Sequence, residues 1–157
     1  RMYRDGHHYS GRKPVYWCPR DETALAEAES EYKDDPCTTV YVKFPMHDDQ
    51  GKLGHLDHSK LYFVIWTTTV WTLPGNLAIA LHPDESYAVV KAPNGEMYIM
   101  AEALVEKVMK IGGFDSYELV ETPPGSFFEH LLADHPFLPN TPRLLLADSV
   151  TMDSATG

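Results

Sequence analysis

Cysteine is scarce in this chain, and so are positive charge and long apolar runs. Cys18 and Cys37 are its 2 cysteines in 157 residues. That is too few for a disulfide framework, so a reducing, cytoplasmic setting is expected. No apolar run approaches the roughly 20 residues that span a bilayer, so no membrane partner is expected. Arg1 to Tyr16 is polar and aromatic, without the apolar stretch of a secretory leader. Lys and Arg number 13 against 23 Asp and Glu, a net charge of −10. That balance argues against strong nucleic-acid binding by the chain alone, because phosphate contacts need clustered cations. The local positive excess is Arg1, Arg4, Arg12, Lys13 and Arg20. It reads either as a solvated arm or as a strip facing RNA or another part of a larger protein. Walker and G-x-G-x-x-G loops are missing, and with them nucleotide binding by those routes. A G-x-S-x-G elbow is missing too.

What is present is an ordinary globular composition, 43% apolar, long enough for one domain over residues 1–157. Glu22–Ala28 is rich in helix formers behind Asp21, which predicts a short helix. Glu29–Lys33 and Thr38–Phe44 alternate and predict a hairpin across Asp34-Asp35-Pro36. His47–Ser59 is polar and predicts an exposed loop. Lys60–Trp66 and Leu77–Leu81 read as apolar strands. Tyr87–Ala92 and Glu96–Met100 flank Pro93-Asn94-Gly95, a hairpin signal. Ala101–Ile111 is the clearest helix, with Leu104, Val108 and Ile111 on one face and Gly112 as its stop. Tyr117–Val120 and Arg143–Met152 complete the strands, and Gly125–Leu132 fits either type. The fold class expected is α+β, mostly β: a barrel-like domain with a few peripheral helices.

Three stretches could carry chemistry. His55-x-Asp57-His58 has metal-type residues but no further ligand pair at zinc spacing, and reads as a solvated loop. Trp17-Cys18-Pro19-Arg20-Asp21 offers one good zinc ligand where a knuckle needs two. No metal site is expected. The third stretch is Phe63–Leu81, where an apolar run breaks into Thr67, Thr68 and Thr69, then Val70-Trp71-Thr72 and Leu73-Pro74-Gly75-Asn76. Threonine favours strands, so a plain strand end is one reading. The other is a pocket. Pro at the second and Gly at the third position predict a type II turn that returns Asn76 toward the Thr hydroxyls. Such a pocket holds neutral donors and acceptors and no strong base. It would act by orienting a substrate and a water and by stabilising an oxyanion.

Trp66-Thr67-Thr68-Thr69-x-Trp71-Thr72-Leu73-Pro74-Gly75-Asn76 closely resembles the threonine-rich motif in the editing domain of isoleucyl-tRNA synthetases. Lys13–Pro19 followed by Glu22–Glu29 resembles the start of the same insertion, connective peptide 1. His82-Pro83, Tyr87–Val90, Gly125-Ser126 and His135-Pro136-Phe137 extend the likeness over nearly the whole chain. The valyl and leucyl enzymes carry Thr-Thr-Arg-Pro at this place, so Thr69-Val70-Trp71 favours the isoleucyl type. Val70 stands where Pro is usual. The resemblance implies a barrel of the valyl/leucyl/isoleucyl editing type, excised from a larger synthetase. It implies hydrolysis of valine mischarged onto isoleucine tRNA, with Thr68 and Thr69 on the aminoacyl ester and terminal adenosine. Trp66, Thr67, Thr72 and Asn76 fall on the pocket motif. The implied partners are the tRNA 3′ aminoacyl-adenosine end, valine and the rest of the synthetase. No cofactor is implied for this segment; ATP, with zinc as a further candidate, belongs to the parent enzyme. In the family, a segment resembling Asp153–Gly157 leads into His-Thr-Ala-Pro-Gly-His-Gly and then an Asp that grips the α-amino group. The chain is therefore expected to hold an incomplete pocket. Two other classes stand beside this reading: a scaffold that binds aminoacyl-adenosine without turnover, and an unrelated small β-barrel.

Overall fold

The structure is a computed structural model that describes residues 1–153 and 155–157. The chain divides into two compact units, Arg1–Pro36 and Cys37–Gly157.

The first unit has no buried residue. Its ordered piece is a small antiparallel hairpin of β1 (Tyr16–Cys18) and β2 (Thr23–Leu25). Glu22 takes φ 50° at the turn, and the Cys18 thiol donates to Asp21 Oδ2 at 3.3 Å. The helix expected over 22–28 is therefore absent. Residues Thr23–Leu25 are zipped to β1, which leaves a 3₁₀ turn at Glu27–Glu29 closed by Ala26 N–H donating to the Glu29 carboxylate at 2.7 Å. Glu29–Lys33 forms no strand either.

The second unit holds the core. Its strands are β3 (Val40–Asp48), β4 (Leu61–Thr67), β5 (Ala78–Leu81), β6 (Tyr87–Lys91), β7 (Met97–Ala101), β8 (Glu118–Glu121), β9 (Leu132–Ala133) and β10 (Arg143–Leu146). They form one eight-stranded sheet in the order β5-β10-β9-β3-β4-β7-β6-β8. Pairing is antiparallel except for β4 with β7 and β5 with β10. The hairpin expected between residues 29–33 and 38–44 is replaced by long-range pairing. Six residues of β3 from Val40 to Pro45 match Thr67 to Tyr62 of β4, and Met46 and Asp48 match β9. The sheet curls: Ile79 and Leu81 of β5 share one cavity with Phe63 and Ile65 of β4, Tyr87 of β6 and Ile99 of β7. The mostly β, barrel-like class is what this unit has.

The hairpin β6–β7 forms at the predicted place, with Gly95 at φ +83° in its turn. The helix begins later than its sequence suggests: Glu102–Leu104 is a 3₁₀ turn and α1 runs Val105–Ile111. Met109 is buried where Ile111 was expected, and Ile111 is exposed. Gly113 rather than Gly112 takes the left-handed φ. Phe114 N–H bonds Met109 O at 2.9 Å and Gly113 N–H bonds Lys110 O at 3.1 Å, a Schellman stop. The last strand ends at Leu146 because a turn at Ala147–Val150 follows.

The loop expected over 47–59 is drawn inward. Asp49 is buried and accepts from Gly51 N–H at 2.9 Å and Leu53 N–H at 2.6 Å, with His58 Nε2 at 3.1 Å. Leu53 is fully buried behind it. Burial alone would raise the Asp49 carboxyl, but those N–H groups and the His58 charge outweigh it and hold the group below its ordinary value. With the folded pKa depressed, this contribution is whole above about pH 4, the ordinary carboxylate range, and is lost as pH falls through the lower folded value. Thermal unfolding followed into acid should lose stability over that window. The Asp49→Asn chain, less stable at neutral pH, should lose less there; an unchanged acid slope would refute the assignment.

Candidate functional site

The threonine stretch begins where β4 leaves the sheet. Trp66 pairs with Tyr41 and Thr67 with Val40 at the end of the β3–β4 ladder. Thr68 and Thr69 continue past it, and all three threonines are half-buried. Thr67 Oγ1 accepts the Thr69 N–H at 2.9 Å. Thr69 has φ −110° and ψ 64°, neither strand nor helix. Its carbonyl then receives both the Thr72 N–H at 3.0 Å and the Thr72 hydroxyl at 2.7 Å. Thr67 and Thr72 thus fasten the backbone. Thr68 and Thr69 differ: their hydroxyl oxygens lie 3.4 Å apart, and neither spans to another element among the bonds that hold the stretch. Residues Leu61–Leu81 contain no Asp, Glu, Lys, Arg, His or Cys. The hydroxyl pair can hold an ester or a water but brings no strong base with it.

The turn after it departs from the sequence expectation. Val70–Gly75 is a 3₁₀ helix. Asn76 N–H does bond Leu73 O at 2.9 Å, as any such turn requires, but Gly75 does not take the positive φ of type II. The 3₁₀ bond Thr72 N–H to Thr69 O simply continues into the next turn. As a result Asn76 does not return to the hydroxyls. Its Nδ2 donates to Ala78 O at 3.0 Å, and its Oδ1 is buried without a hydrogen-bond partner. Asn76 lines the cavity of about 310 Å³ together with Ile79, Leu81, Tyr87, Thr151 and Thr156, while Thr68 and Thr69 do not. The structure therefore brings Thr67, Thr68, Thr69 and Thr72 together and sets Asn76 apart. Tyr87, buried at the far side of that cavity, accepts the His82 N–H at 2.9 Å, and burial pushes its hydroxyl pKa up. Thr156, in the segment Asp153–Gly157, is buried, and its carbonyl accepts Ala101 N–H at 2.8 Å. Ser154 of that segment lies outside the described residues.

Sequence reading gave no role to the loop that braces this site. His135 is buried, and its Nε2 donates to Leu73 O at 2.8 Å. That bond fixes the tautomer, so Nδ1 is the acceptor for Phe137 N–H at 3.3 Å and Leu138 N–H at 3.2 Å. Asn140 Nδ2 donates to Asn76 O at 3.1 Å. The available signal was His135 itself, a histidine between Asp134 and Pro136. Among the described residues no group of three His, Cys, Asp or Glu converges as a metal site. No helix among them is long and apolar enough to cross a membrane.

Solved structures that share this fold include two editing domains of leucyl type. The crystal structure of GlLeuRS-CP1 superposes with TM-score 0.64 at 18% identity, covering 76% of this chain and 52% of that one. The P. knowlesi cytosolic leucyl-tRNA synthetase editing domain superposes with TM-score 0.62 at 12% identity, covering 75% and 55%. Sequence similarity is much closer to isoleucine--tRNA ligases. That of Caldicellulosiruptor saccharolyticus is 49% identical over 99% of this chain and 17% of its own length. That of Bacillus licheniformis is 46% identical over 99% and 16%. The chain thus spans about 17% of the length of such relatives. The reading as an unrelated small barrel falls with these matches. The sequence model of the family described as tRNA synthetases class I (I, L, M and V) matches residues 1–135, and the chain belongs to that family.

Proposed function

We propose that this chain is the editing unit of an isoleucine-specific synthetase, hydrolysing the ester of valine mischarged onto isoleucine tRNA. The observation that carries it is the pair of Thr68 and Thr69 hydroxyls, 3.4 Å apart and presented beyond the last ladder pair of β4. Their backbone is already fixed by Thr67 and Thr72. Preorganised hydroxyls can orient the ester carbonyl and a water without reorganising during the reaction. Trp66, Thr67, Thr72 and Asn76 shape the surroundings. The logic is that of a second sieve. One methylene in an apolar pocket is worth about 1–3 kcal/mol, isoleucine against valine being the standard case, so a synthetic site alone admits valine. Hydrolysis here needs no cofactor; ATP serves the parent enzyme's aminoacylation, and the setting is the cytoplasm. The partners are the tRNA 3′ end and the remainder of the synthetase.

A second reading has its own support. Asn76 stands apart from the hydroxyls, and Leu61–Leu81 supplies no base, which suits a module that binds aminoacyl-adenosine and hydrolyses nothing. Titration of a non-hydrolysable valyl-adenosine analogue, followed by single-turnover deacylation of valyl-tRNA for isoleucine, separates them. Binding with hydrolysis above the buffer rate is expected. Binding without it selects the module, and no binding defeats both.

A further inference from the structure

We infer that the loop from Asp134 to Asn140 is a positioning brace for the threonine stretch, with His135 and Asn140 as the residues that set its selectivity. This rests on the editing reading above. The loop is anchored independently of the site. Asp134 N–H bonds Pro45 O of β3 at 2.7 Å, and His135 N–H closes onto Asn140 O at 3.0 Å. The His135 ring stands edge-on to the core ring of Phe44, centroids 5.6 Å apart. From this fixed base two donors reach one neighbouring segment: His135 Nε2 takes Leu73 O and Asn140 Nδ2 takes Asn76 O. Just beyond the loop, Arg143 N–H of β10 takes Leu77 O at 3.4 Å.

The consequence is mechanical. The threonine stretch is held upstream by the β3–β4 ladder, which ends at Thr67. It is held downstream at Leu73 and Asn76 by the brace, and at Leu77 by Arg143 at the start of β10. Between those points the bonds that shape it are short-range ones among Thr67, Thr69 and Thr72. Slack at Leu73 therefore passes to Thr68, Thr69 and Thr72. Discrimination between valine and isoleucine rests on one methylene, so a small shift of the pocket wall erodes selectivity before it erodes binding or folding. His135 acts through the Leu73 carbonyl and touches no substrate, so it is a positioning residue.

The test compares the chain with His135→Ala, His135→Gln and the milder Asn140→Ala. Gln keeps an amide donor for Leu73 O and an oxygen for the loop N–H groups; Ala keeps neither. Two readouts are taken on variants whose circular dichroism matches the parent. One is the affinity ratio for non-hydrolysable valyl- and isoleucyl-adenosine analogues. The other is amide exchange at Thr72 and Asn76. His135→Ala should reduce the ratio by about fivefold or more, which is roughly 1 kcal/mol, and raise exchange at both amides. His135→Gln should restore both, and Asn140→Ala should fall between. A folded His135→Ala or Asn140→Ala chain with the parental ratio and exchange overturns the brace, as does failure of Gln to restore either. A parent that binds neither analogue counts against the editing reading, and exchange alone then decides the brace.

Discussion

Gly125→Ala should destabilise this domain far more than Gly95→Ala, a change at a glycine with open space around it. A methyl group at Gly125 would lie 2.0 Å from the His82 carbonyl oxygen and 2.9 Å from Tyr87 Cε2. A backbone oxygen cannot swing aside as a side chain can. The two segments must separate, and the bonds that join them go with the gap: Gly125 N–H to Glu85 O at 2.9 Å and Ser126 N–H to Pro83 O at 3.0 Å. Phe128, three residues on, is fully buried and packs edge-on to Phe63 and Tyr87, so the disturbance reaches the core. Overpacking alone is worth about 1–3 kcal/mol, and a clash with fixed backbone belongs at or above the top of that range. Gly95→Ala is the control. It has open space around it and only a φ of +83° to strain, worth about 1–2 kcal/mol. Urea unfolding of both variants should rank Gly125→Ala well below Gly95→Ala. Equal midpoints would mean that the 82–87 and 123–126 segments separate without loss.

These two glycines also mark what was legible beforehand. Gly95 announces itself locally, because Pro93-Asn94-Gly95 lies between two alternating runs and a turn there needs nothing from elsewhere. The strands β3 to β7 and helix α1 were legible for the same reason: period and punctuation are local. What failed was set by distant partners. Ala24 and Leu25 are good helix residues but are held as strand by β1. The polar 47–59 loop folds inward because the single carboxylate of Asp49 satisfies two of its N–H groups. The turn at Leu73–Asn76 has the composition of type II, yet a 3₁₀ helix runs through it, and its carbonyls meet donors from His135 and Asn140, more than sixty residues away. No window along the chain contains both halves of that arrangement. Within the candidate site, the threonines stand out because their order is itself the signal. The expectation that the turn returns Asn76 to their hydroxyls rested on type II geometry, and in the 3₁₀ turn Asn76 Nδ2 bonds Ala78 O instead.

Replacing Thr68 and Thr69 together by Val should lower valyl-ester hydrolysis by about 100-fold while leaving the domain folded. Removing one preorganised oxyanion-type donor commonly costs about 10²–10³ in rate, and a slow starting rate is still readable under single turnover. Val keeps the branched shape, so the half-buried positions stay filled. The two hydroxyls bond to each other at 3.4 Å, so neither removal strands a partner in the core. Thr67→Val supplies the contrast. Its oxygen accepts the Thr69 N–H at 2.9 Å, and losing that acceptor leaves a donor unsatisfied, worth about 1–3 kcal/mol when fully buried and less in this half-buried place. Thr67→Val should therefore lose stability and activity together. The Thr68→Val, Thr69→Val chain should lose activity with an unfolding midpoint near the parent's. A double variant that hydrolyses at the parental rate would remove both threonines from the chemistry. The pocket would then act through the backbone of the stretch, and the bonds from Thr67 and Thr72 would be its functional content.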